Sequence, residues 1–271
     1  LGNGSDFGDL NAAHKGAAAF ASLTRGIWTA SNTPGFNDDI DSLELASTGN
    51  AADFGNLTQG RGRPMGLSST TRGITVGGQA GSSPNYTEYD IIDYVTITTA
   101  GNATDFGDRT VAGWSGGAFS SSTRGVVGGA HGQPAGASNI IDYITIASTG
   151  DATDFGDLLA TTSYLAGCGS SVRGLFGGGY TPSVQNVIQY VTIASAGDAL
   201  DFGDLSAAQG YHTATSNNIR GIFAGGLYPG NVNVIDYVTI ASTGNAADFG
   251  DMTAANSQNS ATSDSHGGLQ A

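Results

Sequence analysis

The apolar residues of this chain fall in short alternating runs, not in helical stripes. Residues 234–240 read Val-Ile-Asp-Tyr-Val-Thr-Ile, and close copies stand at 91–97, 140–146 and 187–193. β-Branched residues and Tyr at a period of two predict strands. A weaker version, Asp-Ile-Asp-Ser-Leu-Glu-Leu, occupies 39–45. A second apolar run follows each Arg-Gly pair, as in Arg173-Gly-Leu-Phe-Gly-Gly-Gly179. Gly-Asn or Gly-Asp follows the Tyr-containing runs at 101–102, 150–151, 197–198 and 244–245 and reads as a hairpin turn.

These runs belong to one copied unit. Asp-Phe-Gly begins at Asp6, Asp53, Asp105, Asp154, Asp201 and Asp248. Arg-Gly begins at Arg25, Arg72, Arg124, Arg173 and Arg220. Both strings recur every 47 to 52 residues, and their spacings drift together. The unit reads as four strands: a Ser/Ala/Gly-rich stretch, the Arg-Gly segment, the Tyr-containing run and the Asp-Phe-Gly segment. Four short strands in such a unit predict an all-β fold, a β-propeller of four-stranded blades. A parallel β-helix competes, but its coils are usually shorter. Units at 11–57, 58–109, 110–158, 159–205 and 206–252 would make up a single domain over 1–271. The termini, 1–10 and 253–271, would meet in a composite closing blade, giving six blades. Five blades with extra terminal strands is the alternative, and a fragment of a longer array a third reading. The Gly-Gly pairs after the second strand, such as Gly77-Gly78 and Gly225-Gly226, suit close backbone approach near a central channel.

Composition agrees and excludes several classes. Of the 271 residues 44 are Gly, only 12% are charged, and the net charge is −14. Gly has no three-residue period, so the chain is not collagen. Nine Lys and Arg argue against a nucleic-acid partner, because phosphate binding needs clustered cations. The single Cys cannot form an internal disulfide or a cysteine zinc site. No apolar run is long enough for a membrane-spanning helix, so no membrane insertion is expected.

Gly-Gly after an apolar strand, then Asn-x-Ile-x-Tyr, then aromatic-x-x-Leu resembles the kelch repeat, with Phe155, Phe202 and Phe249 where kelch units usually carry Trp. The combination of Thr-Arg-Gly, Ile-Asp-Tyr-x-Thr-Ile-Ala-Ser and Asp-Phe-Gly-Asp-Leu also resembles repeats in structural and tail-associated proteins of marine bacteriophages. The resemblance implies a binding or scaffold module, located in a virion or extracellular, and not an enzyme.

Repeated side chains point to architecture. The Arg25, Arg72, Arg124, Arg173 and Arg220 series is expected to pair with the Asp-Phe-Gly acids, Asp105, Asp154, Asp201 and Asp248 among them, in a structural bridge. The same acids could hold Ca²⁺, but no cofactor or metal site is the preferred expectation. An active site needs one asymmetric constellation, and none is visible. A glycan-active enzyme with a site at the channel mouth is the competing class, with Asp38 and Asp39 as its candidate acids. His14, His131, His212 and His266 fall at different phases and read as surface or turn residues. Cys168, among small residues, reads as core. The loops between the second and third strands (79–89, 130–138, 180–185 and 227–232) are the variable part. Their Tyr86, Tyr89, His131, Tyr180 and Tyr228, with Trp114, one of the two Trp, are the candidate binding residues, since aromatic and small polar side chains on a rigid scaffold make adaptable recognition surfaces. A cell-surface glycan, a protein, or other virion proteins are the partners expected.

Overall fold

The computed structural model describes residues 7–33, 35–82, 85–132 and 136–263. They form five antiparallel sheets and no helix. Blade one holds β1 (Ala18–Ala21), β2 (Arg25–Ser31), β3 (Asn37–Glu44) and β4 (Ala52–Asn56). Blade two holds β5 (Met65–Ser68), β6 (Arg72–Ser82), β7 (Asn85–Thr96) and β8 (Thr104–Asp108). Blade three holds β9 (Gly117–Ser120), β10 (Arg124–Gly128), the short β11 (His131–Gly132), β12 (Gly136–Thr145) and β13 (Thr153–Thr162). Blade four holds β14 (Ala166–Gly169), β15 (Arg173–Gly177), β16 (Val187–Thr192) and β17 (Leu200–Asp204). Blade five holds β18 (Thr213–Ser216), β19 (Arg220–Ala224), β20 (Val234–Thr239) and β21 (Ala247–Asp251). The fold is a β-propeller of four-stranded blades.

The described residues build five blades, so the six-bladed reading gives way to its alternative. Residues from each end pack as extra segments between blades five and one. Ser260 Oγ donates to Ala17 O beside β1, and Ser263 Oγ to Ser216 O at the end of β18. Gly49 N, in the blade-one turn, donates to Phe7 O. Among the described residues these segments hold no second or third strand, and residues 1–6 and 264–271, which the closing blade would also use, lie outside them. Two local expectations also change. The 79–89 loop is largely a strand pair, because β6 and β7 continue to Ser82 and Asn85. β13 runs to Thr162, past the unit boundary at 158.

The apolar cores lie between blades, not within them. One core joins Phe119, Val126, Ile141 and Phe155 of blade three to Leu165, Phe176, Val191 and Ile193 of blade four. Three similar cores join the other consecutive pairs. In each, the later blade supplies two β-branched residues from its Tyr-containing run, such as Val95 and Ile97 or Val238 and Ile240. The innermost strands are short and carry small residues because the backbones crowd the axis. A Cβ on Gly167 would come within 2.6 Å of Ala118 N.

The repeated Arg does not bridge to the Asp-Phe-Gly acids. Arg72, Arg124 and Arg173 each lie 4.3 Å from the ring centroid of Tyr94, Tyr143 or Tyr190 in the same blade. Each then donates across to the next blade, to Ile146 O, Ile193 O or Ile240 O, as Arg25 does to Ile97 O. The planar guanidinium suits both contacts, a stack on one side and a carbonyl at its edge. The Asp-Phe-Gly acids serve their own turns: Asp53, Asp105 and Asp248 accept from Gly55 N, Gly107 N and Gly250 N. The Gly of that string is required. Gly55, Gly107, Gly156 and Gly203 have φ of 140–148°, and a Cβ there would fall 2.5–2.6 Å from carbonyl atoms of the next blade's turn.

The buried acids are instead Asp41, Asp93, Asp142 and Asp236 of the third strands. Each binds the segment that carries the chain into its blade. Asp93 pairs with Arg61 at 2.9 Å, the side chains of both being fully buried, and accepts from Thr58. Asp142 does the same with Arg109 and Thr110. Asp41 takes His14 and Asn11, and Asp236 takes Ser206. Where the run has Gln189, its Oε1 accepts from Leu159 N instead. Burial lowers the pKa of Arg61 and Arg109, and the adjacent carboxylates oppose that shift. Removing one partner of such a pair leaves an uncompensated buried charge, at a cost of about 3–5 kcal/mol. Asp93→Ala should lower the unfolding free energy by about that amount, and Asp105→Ala by no more than about 1 kcal/mol. Chemical denaturation checks this, and equal losses at the two sites would refute the division of roles.

Candidate functional site

Each segment entering a blade passes the axis in one tight conformation. Gly16, Arg63, Ser115, Tyr164, Tyr211 and Gln258 have φ of 62°, 57°, 53°, 59°, 58° and 61°. They stand at the same phase, nine residues before the repeated Arg where one follows, as in Tyr164 and Arg173. Their backbones form a chain of hydrogen bonds around the mouth. Arg63 N donates to Gly16 O at 2.7 Å, Ser115 N to Arg63 O at 3.0 Å and Tyr164 N to Ser115 O at 2.7 Å. Tyr211 N donates to Tyr164 O at 3.0 Å and Gln258 N to Tyr211 O at 2.8 Å. All six residues line one hollow at the channel mouth. Left-handed backbone costs a non-glycine residue about 1–2 kcal/mol. Strain of this kind is tolerated where the surrounding structure over-determines it, and it clusters at functional sites.

The side chains at these strained positions differ, which makes the mouth asymmetric. Tyr164 and Tyr211 stack with ring centroids 3.9 Å apart. Burial and the Tyr211 hydroxyl push the Tyr164 pKa upward. Beside the pair lies a hollow of about 320 Å³, lined by His131, Tyr164, Tyr180, Val184, Tyr211, Leu227, Tyr228 and Pro229. Tyr180 and Tyr228 are 45% and 59% exposed, so their rings are open to a ligand. Burial, then nearby Arg63, lowers the His131 pKa, against the opposing pull of Glu88. Among the described residues, no carboxylate lines either hollow.

The expected binding residues are partly brought together. His131, Tyr180 and Tyr228 share the 320 Å³ hollow. Tyr86 stands at its flank, 6.4 Å from Trp114. Trp114 is buried, so it supports the site from beneath and does not face a ligand. It packs on His131 at 4.7 Å and Tyr164 at 5.4 Å, and Arg63 lies 4.9 Å over its ring. Tyr89 stands apart, its hydroxyl accepting from Gln59 Nε2. Tyr164, Tyr211 and Arg63 were not among the expected residues. Their signal was a variable position at fixed phase in an otherwise uniform unit.

The other candidates are structural. The side chains of His14 and His212 are buried, because one pairs with Asp41 and the other packs under Gly178 and Phe223. His266 lies outside the described residues. Cys168 is buried in the core between blades four and five, and burial pushes its thiol up to about 12. Asp39 accepts from Asn37 Nδ2 in β3. Among the described residues, no three metal-ligating side chains converge. We propose that the fold needs no calcium: excess chelator should leave the melting temperature unchanged, and a fall of several degrees would reinstate the ion.

Comparison with known proteins supports the architecture alone. No protein-family model matches the chain, and a search of curated proteins finds no match. The fold is similar to that of the solved structure of YjhT, with a TM-score of 0.77 over 93% of this chain and 88% of that one, at 8% sequence identity. Matches extend over 416 solved chains, a breadth that defines a fold and no activity.

The buried histidine beneath the mouth has a measurable consequence. Desolvation lowers the His212 pKa to about 4, below the usual value of 6.5. The unfolded chain therefore binds more protons between those values, and stability falls as pH drops from 6.5 toward 4. His131 shifts in the same direction. Melting temperature should fall between pH 6.5 and 5, and His212→Leu should flatten that slope. An unchanged slope would show that another group is responsible.

Proposed function

We propose that this protein is a non-enzymatic binding module of kelch-like type, belonging to a phage virion or another extracellular particle, and that it holds a cell-surface glycan at the propeller mouth. The observation that carries the reading is the open aromatic hollow: two stacked Tyr rings held by a strained backbone, flanked by exposed Tyr180 and Tyr228. Tyr offers a sugar an apolar face and a hydroxyl at low entropic cost. Site-bearing loops on a rigid scaffold are the usual arrangement for recognition. Arg63 adds a cation to the neighbouring hollow in a chain of net charge −14. The virion setting rests on the wording of the repeats, which resembles that of phage structural proteins.

A glycan array tests this directly. The protein should bind a defined subset of glycans, and Tyr211→Asn should reduce that binding at least tenfold. Asn tolerates the left-handed backbone, so the unfolding free energy should change by less than about 1.5 kcal/mol, the scale of one lost aromatic pair. Absence of binding to any glycan, with the protein tightly held by other particle proteins, would favour a pure assembly scaffold. Hydrolysis or cleavage of an array glycan would favour the enzyme reading.

A further inference from the structure

The nine basic residues are not equally engaged. Arg25, Arg72, Arg124, Arg173 and Arg220 each lie over an aromatic ring of their own blade. Arg61 and Arg109 are sunk in ion pairs with Asp93 and Asp142. Lys15 and Arg63 remain, and neither pairs with a carboxylate among the described residues. Both stand at the channel mouth. Arg63 lines the smaller hollow, of about 110 Å³, and exposed Lys15 directly precedes Gly16, which lines it too. In a chain of net charge −14, the two uncommitted cations thus sit beside a hollow with no carboxylate in its described wall.

Arg63 is held in place. Its guanidinium lies 4.9 Å over the ring of buried Trp114. Its Cγ crosses Gly16 so closely that a Cβ there would come within 2.8 Å. A cation fixed in this way loses little freedom when it meets an anion. Glu88 is near enough to act on His131 but lines neither hollow. Residues 34, 83–84 and 133–135 lie outside the described ones, in second-to-third-strand connections, and include no Asp or Glu. The described residues end at Phe7 and Ser263, beside Gly49 and Ser216 at the propeller's other end.

The cationic hollow adjoins the aromatic one, and Tyr164 and Tyr211 line both. We propose that the mouth recognises an acidic sugar, one that bears a carboxylate or sulfate oxyanion, and that Arg63 is the residue that selects for the charge. This rests on the glycan reading of the mouth. The sugar ring would lie against Tyr180 and Tyr228, with its oxyanion on the Arg63 side of the stacked pair. A planar guanidinium matches two oxygens of one oxyanion. Lys15 adds positive charge at the rim, so the local field draws an anion in although the chain as a whole is acidic.

The test is a glycan array on which carboxylated and sulfated glycans are printed beside their carboxyl-reduced and desulfated counterparts. The full chain should bind acidic members, and each neutral counterpart should bind at least tenfold more weakly, the worth of one charge-assisted hydrogen bond. Arg63→Gln should remove that tenfold preference and leave the residual binding of the neutral counterparts unchanged. Gln258 already holds the same backbone angle, so Gln is a residue this position tolerates. Arg63→Lys, which keeps the charge but not the fork, should retain part of the preference. Restriction to carboxylated or to sulfated members would tell which oxyanion is read, and either supports the proposal. Equal binding of acidic and neutral counterparts would overturn it and leave the glycan reading standing. Equal loss of both in Arg63→Gln would also overturn it, by showing a structural role. Binding of no glycan at all would overturn both.

Discussion

A four-stranded blade has two faces and no interior. Each face becomes a core only when the next blade is laid on it, and this constraint organises the rest of the molecule. Val and Ile from one blade's third strand close over the Phe of the blade before. The repeated Arg then ties the same two blades, stacking on a Tyr of its own sheet while bonding a carbonyl of its neighbour. The Asp-Phe-Gly glycine exists because the next blade's turn comes too close for any side chain. Side chains that look like a recurring chemical motif are thus the recurring terms of one interface.

Polar groups divide between rim and interior by the same logic. Asp-Phe-Gly acids sit at the exposed edge and cap their own turns. The Asp of the third strand, present in every blade but the fourth, is sunk beside the incoming chain and needs a partner there. The partner differs from blade to blade: His14, Arg61, Arg109 or Ser206. A buried carboxylate must be compensated, but any donor that reaches it will serve. This explains why those basic residues follow no repeat even though the acid does.

Much of the architecture was legible because it is repeated. Strand alternation, the Gly-Asn turns and the period of Asp-Phe-Gly lead to four-stranded blades without further information. The Arg–Asp bridge was misread because two series with equal periods need not touch, and distance along a unit says nothing about which side of the sheet a group faces. The aromatic loops were legible as a class, through Tyr180, Tyr228 and His131. Trp114 was not, since exposure of a unique aromatic cannot be read from its neighbours. Tyr164 and Tyr211 are not legible in the sequence because their distinguishing property is a backbone angle. Arg, Ser, two Tyr, Gln and one Gly share it, so no residue type announces the position.

The closure between blades one and five has a mechanical meaning. Elsewhere, neighbouring blades are joined by continuous chain, an apolar core and a buried polar clasp. At the closure, side-chain hydroxyls of Ser260 and Ser263 hold the last segment to Ala17 and Ser216. Tension applied across the two termini would load those bonds before any apolar core. The ring would part at its seam and leave five intact sheets strung in sequence, so the closure is the fold's own point of yield.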